Sequence, residues 1–222
     1  MIPKRVILLI GSPRGMRSNS YSLGSYLIGR LENRGLKTST WFTSEVLRSD
    51  ERTEQFLEEL DDADLLVMAF PLYVDSLPAM NIRLMGIIAD RSTDSDERKG
   101  FVAMINSGFP EAGQNKTALA ICRQFSLEAN MEWLGGLAMG GGMAIGGRPL
   151  KDLGGIARNI VKALDTAASD LARGKRVSVQ ARQRMGLPIA PKFLFIRMGN
   201  RMWKKLAKEN GVENDLDNTP YQ

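Results

Sequence analysis

The sequence predicts an α/β fold in which a doubly wound parallel sheet carries helices on both faces. Five short apolar runs lack the alternation of half-exposed strands, and this is typical of strands buried on both faces. Stretches with the apolar spacing of amphipathic helices lie between the runs. Strands that alternate with helices in this way form parallel sheets through right-handed crossovers.

The predicted strands differ in polarity, and the second is more polar than the others. Gly11 ends the first strand and Pro71 ends the third. The predicted strands span residues 5–10, 37–43, 64–70, 101–106 and 132–139. Five strands favour the order 2-1-3-4-5, in which ligands bind at the carboxyl ends of the strands, near the switch point between strands one and three.

The predicted helices carry apolar residues on one side. In the first of them, Leu23, Leu27 and Leu31 recur at spacings of four, and Gly35 ends the helix. The expected core-facing residues of the third helix are Met80, Leu84, Ile87 and Ile88. The predicted helices span residues 21–34, 52–61, 78–90, 114–130 and 151–173, and a further helix begins at residue 191.

Cysteine and histidine usage excludes several reaction classes. Cys122 is the single cysteine and the chain has no histidine, so a disulfide framework, a zinc site, a cysteine-ligated cluster and a histidine-based triad are all excluded. We therefore expect no metal site, and any chemistry must run on carboxylates, hydroxyls, backbone amides or a cofactor. With a cofactor no catalytic side chain is required, and we expect none. A bound cofactor is the simplest source of chemistry for such a chain.

No apolar run is long enough to cross a bilayer, and the N-terminal residues lack the pattern of a signal peptide. These features predict a cytoplasmic protein. Residues 1–173 carry 20 basic and 21 acidic residues, whereas residues 174–208 carry 10 basic residues and no acid. This asymmetry predicts a main domain over 1–173 and a basic helical extension over 174–222, and no nucleic-acid partner is expected.

The loop after the first strand is rich in small polar residues and opens the first helix. Ser18, Asn19 and Ser20 lie where a helix leaves its first amides unpaired, and with Ser12 they suit a phosphate group. Arg14 adds positive charge that complements a dianion. The alternative is an ordinary turn in which one of Ser18, Asn19 and Ser20 caps the helix. The loop matches neither a Walker loop nor a GxGxxG fingerprint.

The loop after the third strand runs from Pro71 to Pro78. Leu72, Tyr73 and Val74 lie between the two prolines, and such apolar and aromatic side chains suit a planar ring system. The same side chains would equally serve as a cover for the core.

The loop after the fourth strand contains Asn106, Ser107, Gly108 and Phe109. Gly108 permits close approach of the backbone, and Phe109 offers an apolar wall. Because strands one, three and four are neighbours in the predicted order, the three loops meet at one crevice. Together they favour a phosphorylated ligand with a flat aromatic head.

These motifs resemble those of the flavodoxin-like NADPH-dependent FMN reductase family, over about residues 1–173. The matching segments are Ser12-Pro13-Arg14, Ser18-Asn19-Ser20, Pro71-Leu72-Tyr73, Leu77-Pro78 and Asn106-Ser107-Gly108-Phe109. The resemblance implies a flavodoxin-like fold with FMN, its phosphate held by the first loop and its ring and ribityl chain by the other two. Arg14 would serve either this phosphate or the ribose phosphate of NADPH.

The resemblance implies an oxidoreductase that passes electrons from NAD(P)H through FMN to a small acceptor such as a quinone or free flavin. There are two alternatives. One is a flavodoxin-type electron carrier without its own substrate, and the other is a flavin-free scaffold domain. The glycines at 140–142 and 146–147 depart from short flavodoxins. They either let the backbone pass close to a ligand or partner, or form a flexible loop.

The basic extension predicts an amphipathic helix from Pro191 onward. Arg197, Arg201 and Lys204 share one side with further lysines, and apolar residues occupy another. We expect this helix to pack against a second subunit in a homodimer and to help enclose the flavin site. Packing on its own domain and contact with a membrane surface are the alternatives.

Overall fold

The computed structural model describes residues 2–91 and 98–219. Within them the chain forms one parallel sheet with the strands β1 (Arg5–Ile10), β2 (Lys37–Phe42), β3 (Leu65–Pro71), β4 (Gly100–Asn106) and β5 (Glu132–Met139). The strand order is β2-β1-β3-β4-β5, and every pairing is parallel. The predicted fold class and strand order are confirmed.

Helices connect the strands and extend beyond the last one. They are α1 (Asn19–Glu32), α2 (Thr43–Val46), α3 (Asp50–Asp61), α4 (Ala79–Arg91), α5 (Lys116–Glu128), α6 (Arg158–Ala172), α7 (Val179–Met185) and α8 (Lys192–Glu209). The helix predicted from residue 151 begins later, because residues 150–157 form a 3-10 segment in which Gly154 has non-helical backbone angles. The short helices α2 and α7 were not predicted, since neither is long enough to show a period.

Alternate residues of each central strand enter two separate cores. Val6, Leu8 and Ile10 pack with α1, α6 and α7, whereas Ile7 and Leu9 pack with α3, α4 and α5. The continuous apolar runs follow from this arrangement, because both faces of β1, β3 and β4 are covered by helices. The more polar β2 is an edge strand and stays half-exposed.

The expected face of the third predicted helix needs a correction. Leu84 and Ile88 are buried as expected, but the rest of the buried stripe consists of Asn81 and Met85, while Met80 and Ile87 are only half-buried. The prediction used apolar residues alone, so it placed the core-facing side of this helix at a rotated position. Asn81 is polar and therefore could not be recognised as part of the buried side.

The chain divides into two compact units, residues 1–189 and 190–222. Residues beyond 173 belong to the first unit, because Ala181 and Met185 of α7 are buried in one of its cores and the amide of Val177 bonds the carbonyl of Leu134. This unit boundary lies later than the one expected from charge. No helix in the described ranges combines the length and the hydropathy needed to span a membrane.

Candidate functional site

The helix that follows β1 begins with two unpaired backbone amides. Ser18 is the N-cap of α1, and its hydroxyl oxygen accepts a hydrogen bond from the amide of Tyr21 at 3.1 Å. Among the described residues no acceptor is found for the amides of Asn19 and Ser20. Unpaired amides at the positive end of a helix dipole form a favourable site for an anion.

Hydroxyl groups and positive charge surround the same helix start. Ser12 and Ser20 are buried, and each hydroxyl oxygen accepts a hydrogen bond, from the amide of Arg14 at 3.4 Å and from Asn106 Nδ2 at 3.0 Å. Arg14 and Arg17 are exposed, and neither has an ion-pair partner in the part of the chain that the structure describes. A dianion bound here would meet two uncompensated guanidinium groups.

The loop after β3 contains a strained turn at its tip. Tyr73 and Ser76 exchange two backbone hydrogen bonds of 2.9 and 3.0 Å, and the two residues between them, Val74 and Asp75, have φ values of 46° and 59°. This geometry suits Asn and Gly, and a β-branched valine rarely adopts it. Val74 is 99% exposed, so core packing does not explain its presence. Backbone strain of this kind clusters at ligand-binding sites.

Replacing Val74 with Asn is expected to raise the free energy of unfolding by about 1 kcal/mol, because Asn adopts a positive φ more readily. Chemical denaturation of the full chain measures this effect. Val74→Thr is the matched control, since it adds polarity and keeps the branched Cβ, and it should give no gain. Equal stability of the Asn and Thr variants would show that the turn stores no strain.

The loop after β4 is bound firmly to its neighbours. Asn106 is buried, and its Nδ2 donates to Ser20 Oγ and to the carbonyl of Phe70 at 3.1 Å. The amide of Ser107 donates to the carbonyl of Met139 at 3.1 Å. A Cβ added at Gly108 would meet no atom within 4 Å, so this position leaves open space beside the backbone. Phe109 follows it with 54% of its surface exposed.

The glycine-rich segment after β5, with glycines at 140–142 and 146–147, is hydrogen-bonded to the loops that follow β1 and β4. The side chain of Asn19 donates to the carbonyl of Gly142 at 2.8 Å and accepts from the amide of Gly147 at 2.7 Å. The amide of Gly142 donates to the carbonyl of Ser107 at 2.8 Å. A Cβ at Gly147 would lie 2.3 Å from the carbonyl oxygen of Arg17. These glycines therefore permit close backbone approach to the predicted site.

The structure thus sorts the predicted site residues that carry side chains into three groups. Asn19 and Asn106 use their side chains to hold the loops together, so Asn19 offers an anion its backbone amide. Side chains that remain exposed at the loops are Arg14, Tyr73, Val74 and Phe109. Those that are buried or half-buried are Ser12, Ser18, Ser20, Pro71, Leu72 and Ser107.

Two buried asparagines that support the loops were missed. Asn81 Nδ2 donates to the carbonyl of Gly11 at 2.9 Å, and Asn115 Nδ2 donates to the carbonyls of Ala112 and Met139. Both side chains are fully buried, and each leaves its Oδ1 without a partner among the described residues. Helical spacing could have identified both residues. Asn81 lies three residues before the buried Leu84, and Asn115 lies three residues before the buried Ala118, so each shares the core-facing side of its helix.

The single thiol lies away from these loops, on the core-facing side of α5. Burial raises the pKa of Cys122 to about 12, so the group stays protonated at neutral pH and is a poor nucleophile. Within the described ranges, no group of three or more acidic or cysteine side chains could hold a metal ion.

No family model and no curated protein matches this sequence. Several solved structures are similar to it in fold. A flavone reductase has a TM-score of 0.56 at 10% identity over 75% of this chain, which spans only 64% of that protein. An FMN-dependent NADH-azoreductase from Bacillus anthracis str. Ames Ancestor, solved in complex with FMN, has a TM-score of 0.54 at 12% identity over 76% of this chain and 99% of its own.

A flavodoxin from Streptococcus pneumonia TIGR4 has a TM-score of 0.54 at 15% identity, over 77% of this chain and 99% of its own. Identities this low show a common fold and leave the activity open. Enzymes and electron carriers occur side by side among these structures. Together with the observed strand order, the comparisons establish that this chain has the flavodoxin-like fold.

Proposed function

We propose that the protein is an FMN-dependent oxidoreductase of the NADPH-dependent FMN reductase type, which passes electrons from NAD(P)H to a small acceptor. The observation that carries the proposal is the pair of unpaired amides at Asn19 and Ser20, beside Arg14 and Arg17. They start a helix at the switch point of the sheet, where doubly wound folds bind their ligands.

The residues at this edge fit the phosphate of FMN. The two amides donate hydrogen bonds, and the hydroxyl hydrogens of Ser12 and Ser20 have no acceptor among the described residues. The guanidinium groups of Arg14 and Arg17 balance the negative charge. A phosphate monoester is the ligand chemistry that uses all of these groups.

The neighbouring loops fit a flat apolar ring. Tyr73 and Phe109 are both about half exposed, and the space beside Gly108 lets a ring approach the backbone. Bound FMN would supply the redox chemistry, accepting two electrons from a nicotinamide and passing them on. The chain's own residues would anchor the phosphate, cover the ring and exclude water, so the absence of histidine is no obstacle.

The visible spectrum of the purified protein, supplemented with FMN, tests this function. Under anaerobic conditions NADH or NADPH should bleach the protein-bound flavin within the time of mixing, and a quinone should restore the colour. The same measurement on free FMN gives the uncatalysed rate.

The fold similarity to a flavodoxin keeps the electron carrier as the second candidate. A protein that binds FMN, is bleached by dithionite and ignores both nicotinamides would be a carrier. A protein that stays colourless after incubation with FMN would instead be a flavin-free scaffold domain.

A further inference from the structure

Helix α8 separates apolar and basic side chains onto opposite sides. At 3.6 residues per turn, Ile196, Met202, Trp203 and Leu206 fall within one half of the helix, together with Phe195 and Met198. After the first turn the opposite side carries polar and charged groups, with the small Ala207 at its border. Its basic residues are Arg197, Arg201, Lys204, Lys205 and Lys208.

The apolar side of α8 finds no cover within the unit 190–222. Trp203 is 62% exposed and Met198 58%, and Ala207 is the one residue of the helix that is buried. Exposed apolar area that is collected on one side of a helix marks a contact surface for another body.

The charge of α8 indicates what that body is. Residues 192–208 carry six basic side chains and no acid, and the acidic Glu209 follows as the last residue of the helix. The first unit, residues 1–189, carries 24 basic and 21 acidic residues, so a second copy offers no net negative charge to complement the helix. A second copy of α8 would bring like charges together. Anionic lipid headgroups complement the basic side, while the acyl chains accommodate the apolar side.

We propose that α8 is a peripheral membrane anchor, which lies in the headgroup region of an anionic phospholipid bilayer. The apolar half faces the acyl chains, and the arginines and lysines contact lipid phosphates. Trp203 belongs to the apolar half and lies towards its edge, so its indole enters the interface. This proposal is independent of the flavin site.

Co-sedimentation of the full chain with vesicles tests the anchor. Vesicles of equal parts phosphatidylglycerol and phosphatidylcholine should sediment the protein, whereas phosphatidylcholine alone should leave it in solution. Raising the salt from about 0.1 M to about 1 M should release it, because the Debye length falls from about 10 Å to about 3 Å. Tryptophan fluorescence should shift to the blue on binding, and Trp203→Phe should remove that shift.

Three variants separate insertion of the apolar half from simple charge attraction. Ile196→Ser with Met202→Ser should weaken vesicle binding about tenfold, as should Lys204→Gln with Lys208→Gln, while Asn200→Ser should change nothing. Failure to bind the anionic vesicles, or unchanged binding by the Ile196/Met202 variant, would overturn the proposal. A dimer in solution that the same variant converts to monomer would assign the surface to a second copy instead.

Discussion

Riboflavin is expected to bind this protein about a hundredfold more weakly than FMN. The two ligands differ only in the phosphate, which would accept charge-assisted hydrogen bonds from the amides of Asn19 and Ser20. Each such bond contributes about 1.5–3 kcal/mol, so losing both costs at least about 3 kcal/mol. Titration of the protein with each flavin, followed by quenching of flavin fluorescence, gives the two dissociation constants. Equal constants would exclude a phosphate site at α1.

The N-cap of α1 should contribute to this discrimination. Ser18→Ala removes the hydroxyl that accepts from the amide of Tyr21, and the helix start then frays at a cost of about 1 kcal/mol. The affinity for FMN should fall more than the affinity for riboflavin. Ser49→Ala is the matched control, because Ser49 caps α3 in the same way through the amide of Arg52 at 3.2 Å. It should lower stability to a similar extent and leave both affinities unchanged.

Gly147→Ala is expected to lower the free energy of unfolding by about 2–4 kcal/mol and to weaken FMN binding. Gly147 has a φ of 72°, where any Cβ is strained, and the added atom would lie 2.3 Å from the carbonyl oxygen of Arg17. The glycine-rich segment would have to move away from the first loop. That movement would break the 2.7 Å hydrogen bond from its amide to Asn19 Oδ1.

Its neighbour Gly146 provides the control for this experiment. Gly146 has a φ of 59°, but a Cβ there would meet only the carbonyl oxygen of Met143, at 3.7 Å. Gly146→Ala should therefore cost only the backbone strain, about 1–2 kcal/mol, and leave FMN affinity unchanged. Equal effects of the two substitutions, in denaturation and in flavin titration, would mean that the segment does not brace the site.

The sequence by itself determined the architecture of this protein. Each buried strand was visible as a continuous apolar run, because strands such as β3 and β4 are covered on both faces and must be apolar throughout. The strand order then followed from the number of strands, and it placed the loops after β1, β3 and β4 together. The sequence also indicated that one of Ser18, Asn19 and Ser20 could cap the first helix, and the structure shows that Ser18 is the N-cap.

Contacts between residues far apart along the chain were decided only by the tertiary structure. Asn19 bonds Gly142 and Gly147, and Asn81 bonds Gly11, through pairs that no local pattern records. The sequence allowed the glycine-rich segment to be either closely packed or flexible. The structure shows close packing, because a Cβ added at Gly147 would lie 2.3 Å from the carbonyl oxygen of Arg17. Periodicity reports which side of a helix meets the core, but the partner of a buried polar group depends on how distant segments meet in space.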